Sequence, residues 1–209
     1  MRSLTLTVIF CAIITISSEH LQQLTTYYFP NYYCSPSICP NGGPHVACNA
    51  PNPFGASCYG KNPQLIPMTD VMRAQILDQH NRMRSLLASG QLPGYSPAVK
   101  MPTLQWDLEL QYLAEANARS CEYGHDKCRN TNWSNPQIGH FTQIISDRTV
   151  KIGCGMVTYQ TYNGELWTHD YFVCNYSFTN IINQPSYIKG HAGSQCSTGV
   201  SSAYPGLCN

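Results

Sequence analysis

Histidine is the residue type of this sequence best suited to metal binding or proton transfer near neutral pH, and two histidines lie within short cysteine- or glycine-containing motifs. His125 lies between Cys121 and Cys128, and His140 follows Gly139. Neutral imidazole is the commonest protein ligand for metals such as zinc, so the pair could bind a divalent ion. Two ligands are too few for a closed structural zinc site. We therefore expect histidines that hydrogen-bond locally and no required cofactor, with weak zinc binding as the alternative.

The cysteines indicate the compartment. The chain holds 11 of them, and only Cys11 lies in the apolar run of residues 4–16. Arg2, this run and the small residues Ser17 and Ser18 are typical of a secretory signal peptide, which we assign to residues 1–18. An even number of cysteines then remains, which in a secreted chain indicates a disulfide framework. The sequence therefore predicts an oxidised extracellular protein.

The charge balance excludes several classes of partner. Twelve Lys and Arg residues face 11 Asp and Glu residues, and charged residues make up only 11% of the chain. This balance gives no electrostatic reason to bind nucleic acid or an acidic membrane surface. No segment after the leader has the length and apolarity of a membrane-spanning helix. We expect a soluble monomer that binds no nucleic acid and has no membrane span.

The mature chain divides into an extension, a domain and a tail. Residues 19–67 are rich in proline and lack apolar periodicity, which indicates an irregular extension held by its cysteines. Residues 68–180 carry periodic apolar segments and form the predicted domain. Residues 181–209 form a C-terminal tail that contains Cys196 and Cys208.

Two amphipathic helices are predicted in the first half of the domain. After an N-cap at Thr69 and Asp70, apolar residues recur at steps of three and four until a helix end near Gly90. Asp107 caps a second helix, which we expect to continue as far as Gly124.

The first helix carries polar residues among its apolar ones. His80 lies on the apolar side, so we expect a buried structural histidine rather than a metal ligand. Asn81 and Arg84 are expected to make structural hydrogen bonds. The sequence therefore predicts no functional site on this helix.

A hairpin is predicted in the second half of the domain. The runs 152–160 and 166–176 resemble strands, and the Asn163-Gly164 pair between them is a strong signal for a tight turn. A three-residue loop would place Cys154 opposite Cys174 across the two strands. That register agrees with a cross-strand disulfide.

Five short motifs occur in order along the chain. They are His-Asn-Arg-Met-Arg at 80–84, Ser-Cys-Glu-Tyr-Gly-His-Asp-Lys-Cys at 120–128, Gly-His-Phe-Thr-Gln at 139–143, Ile-Gly-Cys-Gly at 152–155 and Phe-Val-Cys-Asn-Tyr at 172–176. Together they resemble the CAP superfamily (SCP/TAPS), and in particular its insect antigen 5, or venom allergen 5-like, branch. The resemblance covers roughly residues 34–180 and is far more specific than a single motif.

The resemblance implies a fold and a disulfide pattern. The fold is an α+β three-layer α-β-α sandwich with an antiparallel sheet, rich in disulfides. The family pairing, carried over to this chain, gives Cys34–Cys48, Cys39–Cys128, Cys58–Cys121 and Cys154–Cys174, and leaves Cys196–Cys208. Two of these bonds would tie the N-terminal extension to the loop that bears His125.

The chain departs from the family pattern in its middle. In the family, several dozen residues that include two acids and a helix separate the two histidine motifs. Here only residues 129–139 lie between Cys128 and His140. The resemblance therefore implies that both acids and part of the central helical layer are missing, with the junction near 131–132. A splice form, an erroneous gene model and real divergence remain open as explanations.

The missing acids decide the expected function. Without them, His125 and His140 remain, but the two acids of the family's four-residue cleft are absent. General acid–base catalysis would need those acids, so we expect no enzyme. The resemblance implies a secreted binding protein whose ligand is a small lipid, a sterol or an extracellular protein. A vestigial metal-dependent hydrolase and a non-functional truncated isoform are the alternatives.

Two sequons could accept N-linked glycans. Asn132 lies near the central junction, in a predicted loop. Asn175 follows Cys174 inside a predicted strand, where it would be poorly accessible.

Overall fold

The computed structural model describes residues 32–40, 43–129, 139–181 and 183–209. The signal peptide predicted at 1–18, most of the extension before Cys34, the junction near 131–132 and the sequon at Asn132 lie outside the described residues. These predictions are not addressed by the structure.

The described residues contain three α-helices, four strands and one short 3-10 turn. The helices are α1 (Asp70–Ala88), α2 (Leu108–Ala118) and α3 (His140–Ile144), the strands are β1 (Gln64–Ile66), β2 (Gln105–Trp106), β3 (Lys151–Tyr162) and β4 (Leu166–Tyr176), and the turn is Ala56–Cys58.

The two long helices begin at the predicted caps. The Thr69 hydroxyl accepts a hydrogen bond from the Met72 amide at 3.3 Å, and the Asp107 carboxylate accepts one from the Leu110 amide at 3.0 Å. Each cap satisfies an amide at the start of a helix that has no partner within that helix. Ala88 ends α1 just before Gly90, as predicted.

The end of the second helix differs from the prediction. We expected α2 to reach Gly124, but it ends at Ala118. The amides of Ser120 and Cys121 bond to carbonyls only three residues back, which tightens the last turn. Cys121 then adopts a left-handed φ of 54°, where its sulfur bonds to Cys58.

β3 is the central strand of the sheet. It pairs with β4 along their whole length in antiparallel register, and Cys154 lies opposite Cys174 as predicted. β1 pairs antiparallel with β3 at residues 156–158. β2 adds a pair of two residues that runs parallel to β3, so the sheet is antiparallel except at this short contact.

One face of the sheet is covered by α2. Glycine at positions 153 and 155 of β3 makes this close approach possible. A β-carbon at Gly155 would lie 2.6 Å from the backbone nitrogen of Glu115, and one at Gly153 would also meet the backbone of α2. Because side chains alternate along a strand, these glycines and Val157 share the face that α2 covers.

The described residues cover the opposite face at one end only. Ile152 and Cys154 pack there with Ile76 of α1. Farther along the same face, Phe172 lies opposite Met156 and is 46% exposed. Within the described residues, the sandwich therefore has a helical layer, α2, on one face of the sheet and a partial layer on the other.

Five disulfides hold the described chain together. They are Cys34–Cys48, Cys39–Cys128, Cys58–Cys121, Cys154–Cys174 and Cys196–Cys208, the pairs that the resemblance implies. The bonds with the longest closures, Cys39–Cys128 and Cys58–Cys121, tie the extension to the segment after α2.

The C-terminal tail packs into the core. Leu207 is fully buried against Leu87 of α1 and Met101. The Cys208 amide donates a hydrogen bond to the Met101 carbonyl at 2.8 Å, and the Tyr204 hydroxyl donates one to a carboxylate oxygen of α1 at 3.0 Å. Over the described ranges, no helix combines the length and apolarity that a membrane crossing needs.

Candidate functional site

The structure brings His125 and His140 together. Their ring centroids lie 6.4 Å apart and the ring planes differ by 22°, so the two imidazoles are stacked. Both side chains are exposed. His125 lies in the loop after α2, between two disulfide-bonded cysteines, and His140 is the first residue of α3.

The start of α3 is fixed by polar contacts around Gly139. This residue has a φ of 100°, which favours glycine. Its carbonyl accepts hydrogen bonds from the Gln143 amide at 2.8 Å, the Thr142 hydroxyl at 3.1 Å and the Asn180 amide group at 3.3 Å. These bonds hold the backbone from which His140 projects.

Arg84 holds the other end of the same segment. Its guanidinium is fully buried and donates to the carbonyls of Ile144 at 2.7 Å, Ser146 at 2.8 Å, Thr149 at 3.1 Å and Pro102 at 2.7 Å. Burial lowers the pKa of Arg84 to about 9, so the group remains a cation at neutral pH. The sequence predicted structural bonds for Arg84 but not these partners.

A polar cluster of Asp126 and Arg129 contacts His125, and the sequence alone did not predict it. Arg129 pairs through Nε with the carboxylate of Asp126, and another nitrogen of its guanidinium lies 3.4 Å from Nδ1 of His125. The Asp126 side chain is only 8% exposed, and its Oδ2 is buried without a hydrogen-bond partner. Burial raises the pKa of Asp126, and the Arg129 charge opposes that effect.

The contact with Arg129 favours one tautomer of His125. A guanidinium only donates hydrogen bonds, so Nδ1 of His125 accepts in this contact, which favours the neutral ring with its proton on Nε2. A metal-bound histidine has the reverse arrangement, because its free ring N–H donates to a carboxylate, a carbonyl or water. The positive charge of Arg129 also repels a metal cation.

The donor set around the pair fits zinc poorly. Within the described parts of the chain, no three His, Cys, Asp or Glu side chains are grouped so that they could hold a metal ion. A catalytic zinc needs three protein ligands, and this cleft supplies two imidazoles, one of them beside a cation. We therefore derive no chemistry through a metal here.

Among the described residues, the hydroxyl and carboxylate groups near the histidine pair have other partners or are buried. Of the hydroxyl groups near His140, that of Ser146 is fully buried, and that of Thr142 donates to the Gly139 carbonyl. The Glu122 carboxylate accepts a hydrogen bond from the Ser57 hydroxyl at 2.7 Å. No carboxylate within the described ranges hydrogen-bonds to either imidazole, so nothing there orients one as a general base.

Of two other residues singled out from the sequence, His80 is half-buried and Asn175 is buried. His80 contacts the Ile76 carbonyl at 2.7 Å and the Tyr176 hydroxyl at 3.1 Å, and burial lowers the pKa of His80. Asn175 is 3% exposed and donates to the Leu110 carbonyl of α2 at 3.4 Å. A glycan on Asn175 would have to displace α2, so this sequon is incompatible with glycosylation of the folded chain.

The model of the cysteine-rich secretory protein family (CAP) matches this chain over residues 77–137 and 129–176. The two matched pieces overlap at residues 129–137, the region where the family resemblance implies a missing central segment.

Two relatives extend the similarity beyond these ranges. Venom allergen-1 of Aedes albopictus is 40% identical over 227 aligned positions, which cover 85% of this chain and 87% of that protein. Venom allergen 5 of Vespa velutina is 32% identical over 206 positions, which cover 76% of this chain and 100% of that protein. The first alignment is longer than the 209 residues of this chain, so that relative has residues that this chain lacks.

Solved structures share the fold. NaASP2 with Zn²⁺ matches with a TM-score of 0.51 and 24% identity, covering 68% of this chain and 96% of that one. Na-ASP-1 matches with a TM-score of 0.53 and 23% identity, covering 75% of this chain and 50% of that one. The two venom allergens, at 40% and 32% identity, each align with more than two thirds of this chain. This chain therefore belongs to the cysteine-rich secretory protein (CAP) family.

Proposed function

We propose that the chain is a secreted, non-enzymatic protein that binds an extracellular protein through the end of its β3–β4 hairpin. The five disulfides support an oxidising destination. The absence of an oriented base at the histidine pair, within the described residues, supports a binding role over catalysis.

The observation that carries the proposal is a group of exposed apolar side chains, which we call the hairpin end. It consists of Tyr162, Leu166 and Trp167, whose exposures are 77%, 65% and 57%. Tyr162 lies opposite Leu166, and Trp167 lies on the other face of the hairpin, opposite Thr161. Trp and Tyr dominate the energetic centres of protein interfaces, so this group is a suitable anchor.

The hairpin end is held in a defined position. The Cys154–Cys174 disulfide joins the two strands behind it. Tyr159 and His169 stack across the strands with centroids 5.2 Å apart, and His169 hydrogen-bonds to the Thr161 hydroxyl at 2.7 Å. A surface that is already ordered loses less conformational entropy on binding.

Charges near the hairpin end indicate the chemistry of the partner. Glu165 lies in the turn and Asp170 lies farther along β4, and both are exposed. Neither forms an ion pair with a described residue. We infer a partner whose apolar pocket is bordered by basic side chains, because such a rim would complement these carboxylates.

The groove between the N-terminal extension and α2 gives no support to a sterol or long lipid as the ligand. This groove, described below, has a volume of about 270 Å³. Pockets for drug-sized ligands typically range from about 300 to 1,000 Å³, so this groove does not enclose a whole sterol. The exposed aromatic and aliphatic side chains of the hairpin end suit contact with a pocket of another protein.

A comparison of variants tests the proposal. The full chain, secreted from insect cells, is immobilised and exposed to extracellular fluid from the tissue that produces it, and retained proteins are quantified by mass spectrometry. We expect the double variant Leu166→Ser/Trp167→Ser to lower retention of a specific protein by at least about tenfold. Val71→Ser is the matched control, since Val71 is 67% exposed on α1.

Native mass spectrometry of the same secreted protein separates the alternatives. A stoichiometric sterol, long-chain lipid or zinc ion would contradict the proposal and favour lipid transport or the hydrolase alternative. Equal retention by the wild-type chain and the double variant would exclude the hairpin end as the binding surface.

A further inference from the structure

A groove lies between the N-terminal extension and the end of α2, and neither His125 nor His140 lines it. Pro53 and Phe54 form one apolar wall, and Pro63 and Leu65 form the other. Phe54 and Leu65 also pack on a core cluster that includes Val157 of β3. The groove is therefore built from the same residues that stabilise the fold.

The frame of the groove is rigid. The Gly55 amide donates to the Arg119 carbonyl at 2.9 Å, which joins one wall to the end of α2. The Cys58–Cys121 disulfide reinforces this connection. On the other side, Leu65 lies in β1, which pairs with β3. A ligand would enter a preformed groove without ordering either wall.

Arg119 is the one charged side chain that lines this groove. It is partly buried, and its guanidinium donates no hydrogen bond and forms no ion pair within the described ranges. Other arginines of the described chain have such partners, since Arg73 and Arg82 pair with aspartates and Arg84 binds carbonyls. Arg119 therefore presents unused donors beside an apolar surface.

We propose that this groove binds a small organic anion, an aryl or short-chain alkyl carboxylate, with Arg119 holding the carboxylate. The apolar walls would receive the hydrocarbon body, and the planar guanidinium matches a carboxylate through two parallel hydrogen bonds. The volume of about 270 Å³ limits the body to roughly one aromatic ring or a short alkyl chain. This site is separate from the hairpin end, so either proposal can fail without the other.

Exposed Gln64 offers a second way to test the site. It also lines the groove, and its side chain has no hydrogen-bond partner within the described residues. The Gln64→Glu substitution keeps the shape and adds a negative charge next to the proposed carboxylate position. It should weaken binding of an anion and leave binding of a neutral analogue unchanged.

The probes are sodium 3-phenylpropanoate and the neutral alcohol 3-phenylpropan-1-ol, titrated calorimetrically into the full secreted chain at neutral pH. We expect the carboxylate to bind at least about tenfold more tightly than the alcohol, because hydrogen bonds between charged groups are about twice as strong as neutral ones. Arg119→Gln should bind both probes equally. Gln64→Glu should lose affinity for the carboxylate only.

Matched controls alter the net charge elsewhere. Lys100→Gln removes one positive charge and Gln91→Glu adds one negative charge at exposed positions that do not line the groove. Both should keep the wild-type preference for the carboxylate. The proposal is wrong if wild type binds both probes equally or binds neither at millimolar concentration. It is also wrong if a folded Arg119→Gln or Gln64→Glu variant keeps the full preference.

Discussion

The guanidinium of Arg129 lies 3.4 Å from Nδ1 of His125. In a histidine that binds a metal through Nε2, this Nδ1 nitrogen would carry a proton and donate a hydrogen bond. This contact sets the stacked histidine pair of this chain apart from a zinc site. It places a fixed positive charge next to one imidazole and favours the tautomer whose Nε2 is already protonated.

Zinc affinity should therefore depend on Arg129. We expect weak zinc binding by the wild-type chain and an affinity higher by about tenfold for Arg129→Gln, since changes around a metal ligand typically alter affinity by about 10- to 100-fold. Glutamine still donates a hydrogen bond to Asp126, which limits structural damage. Calorimetric titration with zinc measures both constants, and Arg82→Gln on the surface of α1 is the control. Tight zinc binding by wild type, unchanged in Arg129→Gln, would contradict this account.

Asp126 should make stability depend on pH. Burial raises the pKa of its carboxyl group, so the folded chain holds that proton more tightly than the unfolded chain. The protonated carboxyl of Asp126 therefore stabilises the folded chain fully below the unfolded pKa, near 3.8. This stabilisation is lost as the pH rises from that value through the folded pKa.

The isosteric variant Asp126→Asn stays neutral throughout. Its free energy of unfolding relative to wild type should therefore increase between pH 3.5 and pH 7, as measured by urea unfolding. Asp70→Asn is a suitable control because the Asp70 side chain is 97% exposed. A difference that stays constant or decreases with pH would show that the Asp126 charge is not disfavoured by folding.

Local sequence signals predicted the elements that depend on local physics. The cap residues Thr69 and Asp107 act through amides three residues away, and the Asn163-Gly164 turn fixes the register of Cys154 against Cys174. Caps and tight turns depend on the types of residues only a few positions apart, so they can be predicted from the sequence.

The contacts that the sequence did not reveal are those between distant segments. Arg84 binds backbone carbonyls up to 65 residues away. Every residue has a backbone carbonyl, so the residue types do not identify these acceptors. The Asp126–Arg129–His125 cluster depends on the path of a disulfide-bonded loop. The end of α2 was misplaced at Gly124 because the pairing of Cys121 with Cys58, together with the tightened last turn, overrides the apolar periodicity.

Arg84 should be essential for stability. Replacing it with leucine would leave the buried carbonyls of Ile144, Ser146 and Thr149 without their donor. We expect a loss of about 3–5 kcal/mol in the free energy of unfolding, or failure of secretion. Arg82→Leu, whose side chain is 68% exposed, should cost less than about 1 kcal/mol. An Arg84→Leu protein within about 1 kcal/mol of wild type would refute the role assigned to these bonds.

The open part of the sheet should behave as exposed apolar surface. Phe172 is 46% exposed opposite Met156, on the face that α1 covers only at one end. We expect Phe172→Thr to reduce binding of a hydrophobic dye at least about twofold while changing the free energy of unfolding by less than about 1 kcal/mol, because threonine suits an exposed strand. Val150→Thr, at another exposed position, should leave dye binding unchanged. A large loss of stability in Phe172→Thr without any change in dye fluorescence would mean that this face is covered in solution.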